Sequence, residues 1–129
     1  KLNKNPGGAF ESAGKKGAIN MDSLSVQEMQ DLQKELHRVY EDDWGELGPD
    51  VAMESLLWTI GEVGEVIDVI KKEGCDAIMN DGAVRSHFTE EVCDVLMHLT
   101  DFLLCLGITP EEVSESFRAK QKRNLERWK

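Results

Sequence analysis

Apolar and polar positions follow a helical period along most of the chain, and the pattern predicts four long helices. They run from about 26 to 41, 51 to 73, 87 to 106 and 110 to 127. Two of the starts carry a capping box, Ser25 to Glu28 and Thr109 to Glu112, in which the hydroxyl and the carboxylate satisfy free backbone N–H groups. The period-two alternation typical of strands persists nowhere. The expected fold class is therefore all-α.

The chain divides into a short leader and one domain. Residues 1–20 contain four Gly and four Lys and few apolar residues, whereas the composition changes at Met21. We expect residues 1–20 to be a vector-derived leader or a flexible arm. Residues 21–129 form the expected helical domain, with a Gly-, Asp- and Asn-rich loop predicted over residues 75–85.

Acidic residues accompany the apolar stripes of the second and third predicted helices. Glu62 and Glu65 are three residues apart in one helix, and Glu91 and Asp94 are three apart in the other. At 100° per residue, each pair lies on the shoulder of its apolar stripe rather than opposite it. The two stripes comprise Leu56, Ile60, Val63, Val66, Ile67 and Ile70, and Val92, Val95, Leu96, Leu99, Phe102, Leu103 and Leu106.

Four acids converging between two packed helices would repel one another. Mg²⁺ or Mn²⁺, which prefer oxygen ligands, would relieve that repulsion. The alternative is two solvated helix faces, because Glu-x-x-Glu is common in helices. Two such pairs on adjacent antiparallel helices favour the metal site. A di-iron bundle is not favoured, since the chain has no Glu-x-x-His pair.

These motifs resemble the MazG-type nucleoside triphosphate pyrophosphohydrolases. The family pattern is Glu-x-x-Glu followed after a gap by Glu-x-x-Asp, and the gap here is residues 66–90, 25 residues. Lys120, Asn124 and Arg127 match the Lys-x-x-x-Asn-x-x-Arg ending of the family. The similarity extends over about residues 32–129, which is nearly all of the domain.

The resemblance implies a four-helix MazG-like bundle that is completed by homo-oligomerisation, as a homodimer or a dimer of dimers. It implies that Glu62, Glu65, Glu91 and Asp94 bind Mg²⁺, with Mn²⁺ as an alternative, and form the catalytic set. The implied reaction cleaves a (deoxy)nucleoside triphosphate to the monophosphate and pyrophosphate, as a house-cleaning step for nucleotide pools. Two alternatives remain open: a phosphoribosyl-ATP pyrophosphohydrolase-like enzyme, and a non-catalytic helical interaction module on the same scaffold.

Six further residues are candidate substrate contacts: Lys120, Asn124, Arg127, Trp44, Trp58 and His98. The first three match the family ending and lie in a basic stretch, although basic residues also complement a helix C-terminus. Either tryptophan could stack on a base. The alternatives are core packing for Trp58 and His98 and a loop anchor for Trp44.

Composition narrows the choice of partner. With 15 basic and 25 acidic residues, the formal net charge is −10, which argues against general nucleic-acid binding. No apolar run approaches the ~20 residues that cross a bilayer, and no signal-peptide pattern occurs. The three cysteines form no Cys-x-x-Cys pair, so we expect reduced thiols in a cytoplasmic protein. The partner that the resemblance implies is a nucleoside triphosphate.

Overall fold

The computed structural model describes residues 22–127, and every regular element in that range is helical. The helices are α1 (Val26–Val39), α2 (Glu41–Trp44), a 3-10 turn (Pro49–Val51), α3 (Ala52–Glu73), α4 (Cys75–Asn80), α5 (Gly82–Cys105) and α6 (Pro110–Arg127). No strand occurs in the described range, so the all-α expectation is confirmed. The leader predicted over residues 1–20 lies outside the described residues.

The four long predicted helices correspond to α1, α3, α5 and α6, but the loop predicted over residues 75–85 was wrong. Helix α4 and the first turn of α5 occupy it. Asp81 explains the difference, because its carboxylate accepts hydrogen bonds from the backbone N–H groups of Ala83 (3.0 Å) and Val84 (3.1 Å). An acid that resembles a loop residue in the sequence is thus the N-cap of α5.

Side-chain caps also begin α1 and α6, as predicted. The Thr109 hydroxyl accepts from the Glu112 N–H at 3.1 Å, and the Glu112 carboxylate accepts from the Thr109 N–H at 2.7 Å. This reciprocal pair is a complete capping box. At α1, the Ser25 hydroxyl accepts from the Glu28 N–H at 3.1 Å.

Helices α3 and α5 form the main packed pair, and they run antiparallel. Ser55, early in α3, contacts Cys105 at the end of α5 (Oγ–Sγ 3.6 Å), and Glu62 lies farther along α3 beside His98 (Oε1–Nε2 3.6 Å). The buried Thr59 lies between these two contacts on α3. The two helices therefore meet along a polar seam, which we call the α3–α5 seam.

Most of the apolar stripe of α3 does not face this seam in the protomer. Of its residues, Ile60, Val63, Ile67 and Ile70 are exposed, whereas Leu56 and Val66 are half-buried. Met53 and Leu57, which lie outside the stripe on the same helix, are exposed as well. Within the described residues, the buried apolar side chains are those of Ala52, Val69, Ile78 and Cys105, and none of the large ones is fully buried. A protomer with this surface leaves most of its apolar stripe in contact with water.

Helix α6 stands apart from the α3–α5 pair. Among the described helices it packs only against α1. Its axis is bent by 110° relative to α5. No single described helix is long and apolar enough to span a membrane; α5 and α6 reach that threshold only when taken together across the bend.

Candidate functional site

Three of the four predicted acids meet at the α3–α5 seam. Glu62 comes from α3, and Glu91 and Asp94 come from successive turns of α5. One carboxylate oxygen from each lies within 4.8 Å of the others. Glu65 lies one turn after Glu62 on α3 and is exposed, outside this group of three. The antiparallel packing thus brings acids that are about 30 residues apart in sequence to one point.

Histidines flank two of these acids. His98 Nε2 lies 3.6 Å from Glu62 Oε1, and His87 Nε2 lies 3.7 Å from Glu91 Oε1. Glu62 and Glu91 are half-buried, so their charges are only partly screened by water. Three carboxylates held this close carry a concentrated negative charge, for which a divalent cation with oxygen ligands is the natural counter-ion.

A cavity of about 590 Å³ adjoins the acids between α1, the segment before α3, and the α3–α5 seam. Asp94 lines this cavity as well as belonging to the group of three acids, so the two features form one site. The volume falls within the range of about 300–1,000 Å³ that is usual for small-molecule sites. Among the described residues, no Lys or Arg lines the cavity.

Both candidate tryptophans line this cavity, each against a histidine. Trp58 is 57% exposed and stacks on His98, with ring centroids 5.9 Å apart and planes inclined by 14°. Trp44 stacks on Tyr40 at 4.6 Å and meets His37 edge-on at 5.3 Å. Since Trp58 is largely exposed, it is not a core residue in the protomer. The two indoles instead form part of the cavity wall.

A buried polar network forms another wall of the cavity. Asp101 is 6% exposed, and its carboxylate accepts a hydrogen bond from Gln33 Nε2 at 2.8 Å and lies 3.1 Å from His37 Nε2. The other ring nitrogen of His37, Nδ1, is buried and has no hydrogen-bond partner in the described structure. Sequence reasoning did not select Gln33 or His37. Their spacing of four residues places them on one face of α1.

The basic candidates lie elsewhere in the protomer. Lys120, Asn124 and Arg127 are exposed on α6, which does not pack against α3 or α5. Lys120 and Asn124 instead line an open groove of α6 together with Val113 and Phe117. Within one protomer, the structure therefore brings together three of the four predicted acids, the two tryptophans and His98, but not Glu65 or the basic ending.

Comparison with known families agrees with this site. The model of the MazG nucleotide pyrophosphohydrolase domain matches residues 52–127, which is 76 of the 129 residues and includes every acid of the site. Comparison with curated proteins and with solved structures gives no match.

Proposed function

Because this chain belongs to the MazG nucleotide pyrophosphohydrolase family, we propose that it is a Mg²⁺-dependent nucleoside triphosphate pyrophosphohydrolase. The reaction converts a (deoxy)nucleoside triphosphate and water to the monophosphate and pyrophosphate. The observation that carries the proposal is the group formed by Glu62, Glu91 and Asp94, placed at the edge of an aromatic-walled cavity. One end of that site suits a metal–phosphate complex, and the other suits a planar base.

The donor set fits a hard divalent cation. All three clustered groups are carboxylates, which are preferred ligands of Mg²⁺ and Mn²⁺, whereas softer metals prefer sulfur ligands. Glu62, Glu91 and Asp94 would hold the ion, and we include Glu65 as a fourth ligand because it lies one turn after Glu62 on α3. Mg²⁺ bound there would neutralise phosphate charge and increase the acidity of water.

The carboxylates of α3 would also handle the proton of the attacking water. Glu62 or Glu65 accepts that proton as the water oxygen attacks the α-phosphorus. The bond between the α-phosphorus and the bridging oxygen then breaks, so the water oxygen remains in the monophosphate. Lys120 and Arg127 neutralise the charge that develops on the departing pyrophosphate, and Asn124 contributes a hydrogen bond.

The cavity would hold the nucleoside. Trp44 and Trp58 offer flat apolar surfaces for stacking on a base, an interaction of about 1–3 kcal/mol. His98 stacks on Trp58 and also lies beside Glu62. It therefore connects the part of the site that would hold the base with the part that would hold the metal.

The proposal includes a homodimer or a dimer of dimers. The exposed apolar stripe of α3 supports association, because monomers rarely leave such surfaces in water. We assign the enzyme to the cytoplasm, in agreement with the three free thiols of the described chain, and to the clearance of unwanted nucleotides.

A pyrophosphate-release assay tests the reaction. The wild-type chain, with Mg²⁺ and each common ribo- and deoxyribonucleoside triphosphate, should release pyrophosphate from at least one of them. Turnover in ¹⁸O-water should place the label in the monophosphate; label in pyrophosphate would contradict attack at the α-phosphorus.

Matched variants connect this activity to the site. Glu91→Gln preserves shape and removes one charge, so it should abolish turnover while circular dichroism stays unchanged. Glu73→Gln is the control, because Glu73 is an exposed acid at the end of α3. Equal activity of the two variants would refute the role of the acid group.

A further inference from the structure

Four side chains meet where the acids adjoin the cavity, two from each helix of the α3–α5 seam. Trp58 and Glu62 are four residues apart on α3, and Asp94 and His98 are four residues apart on α5. This spacing places each pair on one face of its helix, about one turn apart. Since the helices run antiparallel, Trp58 lies opposite His98 and Glu62 lies opposite Asp94. The aromatic contact of the cavity and the acid group are thus neighbouring layers of the same seam.

His98 contacts both of these layers. Its ring stacks on the indole of Trp58, with centroids 5.9 Å apart, and its Nε2 lies 3.6 Å from Glu62 Oε1. The side chains of His98 and Glu62 are 32% and 21% exposed, so water only partly screens the polar contact. A single imidazole therefore contacts one residue of the cavity wall and one residue of the acid group.

Trp58 has fewer aromatic neighbours than the other indole of the cavity. It is 57% exposed, and its aromatic contact among the described residues is with His98. The ring of Trp44, in contrast, is contacted by both Tyr40 and His37. A side chain flanked by one ring keeps more rotamer freedom than a side chain flanked by two. The position of Trp58 should therefore follow the position of His98.

Cation binding at the acid group would restrict Glu62. Free carboxylates of like charge repel one another, whereas carboxylates that ligate a divalent cation are held in place. Ordering of Glu62 would also order the imidazole beside it, and through that imidazole the indole of Trp58. A base that stacks on Trp58 after the cation has bound then loses less conformational entropy than a base that binds first.

We propose that His98 is a positioning residue through which cation binding at the acid group and base stacking on Trp58 strengthen each other. By reciprocity, the cation raises the affinity for the base by the same factor as the base raises the affinity for the cation. A nucleoside triphosphate that arrives with its cation occupies both ends at once and gains from this coupling. The inference rests on the proposed function and adds a coupling between the two ends of its site.

Tryptophan fluorescence during a Mg²⁺ titration tests the coupling without substrate. The chain has three tryptophans, so each protein is compared with the same protein carrying Trp58→Phe, and the difference is the emission of Trp58. In the wild type, this emission should change saturably with Mg²⁺ and return when EDTA is added. Calorimetry on each protein gives the Mg²⁺ concentration that saturates it.

Two substitutions of His98 divide its contacts. His98→Phe keeps a flat ring beside Trp58 and removes the nitrogen that faces Glu62, whereas His98→Asn keeps an N–H group and removes the ring. Each should lose the response of Trp58 at saturating Mg²⁺ while circular dichroism stays unchanged. His87→Phe is the matched control, because His87 lies 3.7 Å from Glu91 of the same acid group but stacks on no tryptophan among the described residues; it should keep the full response.

Nucleoside affinity measures the size of the coupling. A nucleoside has no phosphate through which to reach the cation, so an effect of Mg²⁺ on its binding is transmitted by the protein. Among adenosine, guanosine, cytidine, uridine and thymidine, at least one should bind with a Kd at least about fivefold lower in Mg²⁺ than in EDTA. His98→Phe should bring the two dissociation constants together, and His87→Phe should keep them apart.

The outcomes separate this inference from the proposed function. A chain that neither binds Mg²⁺ nor releases pyrophosphate from any triphosphate would remove both. An active, Mg²⁺-binding chain whose Trp58 emission does not change, or changes equally in the His98 variants, would overturn the coupling alone. The coupling would fail equally if an active chain bound nucleosides with the same affinity in Mg²⁺ and in EDTA, or bound none of them.

Discussion

Replacing Asp101 by alanine should strongly destabilise the fold, although this residue lies outside the acid group. Its carboxylate is 6% exposed and is contacted by Gln33 and His37 at 2.8 and 3.1 Å. Asp101→Ala leaves the buried amide of Gln33 and the half-buried imidazole of His37 without their acceptor, at about 1–3 kcal/mol each. We therefore expect a loss of about 3 kcal/mol in the free energy of unfolding.

Thermal unfolding measures this loss directly. For a domain of this size, about 3 kcal/mol corresponds to a fall in Tm of about 10–20 °C. All samples should be compared at one protein concentration, since association would raise Tm. Asp68→Ala is the matched control, because Asp68 is an exposed aspartate in α3; it should change stability by no more than about 0.5 kcal/mol.

A double-mutant cycle isolates the contact between α1 and α5. Gln33→Ala alone should cost about 1–2 kcal/mol. Combined with Asp101→Ala, it should add less than that, because the hydrogen bond can be lost only once. If Asp101→Ala unfolds at the temperature of the Asp68→Ala control, or if the two losses simply add, the buried network is not a stabilising unit.

Three further predictions concern the cap, the metal and the cavity. Thr109→Ala should lower the free energy of unfolding by about 1 kcal/mol in a urea titration, because it removes the hydroxyl cap of α6; no change would contradict the capping role. Mg²⁺ at about 100 times its Kd should stabilise the wild type by about 2.7 kcal/mol in a thermal shift assay and EDTA should reverse it, whereas Glu91→Gln should show no response. Trp58→Ala should raise KM about 5- to 150-fold with little change in kcat, because stacking contributes about 1–3 kcal/mol, and Trp58→Phe should recover most of the loss; a KM equal to that of the wild type would exclude stacking on Trp58.

The local sequence pattern was sufficient to predict the four long helices, because apolar periodicity and helix caps depend on residues only a few positions apart. The start of α5 was missed, since Asp81 and Gly82 are typical of both a loop and a helix N-terminus. Periodicity also shows which residues of α3 share a face, but not which face meets α5. The stripe with Ser55 and Thr59 was chosen by tertiary packing, and the more apolar stripe remained outside.

The candidate site likewise contains residues that could be predicted from the sequence and residues that could not. Glu62, Glu91 and Asp94 were predictable because their i, i+3 spacing is local and the antiparallel pairing of α3 and α5 follows from two long adjacent helices. The hydrogen bond from Gln33 to Asp101 joins residues that are 68 positions apart, and no local sequence pattern predicts such a contact. The roles of the basic ending depend on chain assembly, which the residues of one chain do not specify.

In the proposed oligomer, the small buried core of each protomer makes the amount of folded enzyme depend on how much of the chain the cell synthesises. The buried apolar side chains of the described range are only those of Ala52, Val69, Ile78 and Cys105, so a single copy gains little from folding alone. The folded fraction then rises with protomer concentration. Halving expression would reduce the folded dimer more than twofold, and the unpaired chains would be exposed to proteolysis. The rate of nucleotide clearance would therefore fall by a larger factor than the gene dosage does.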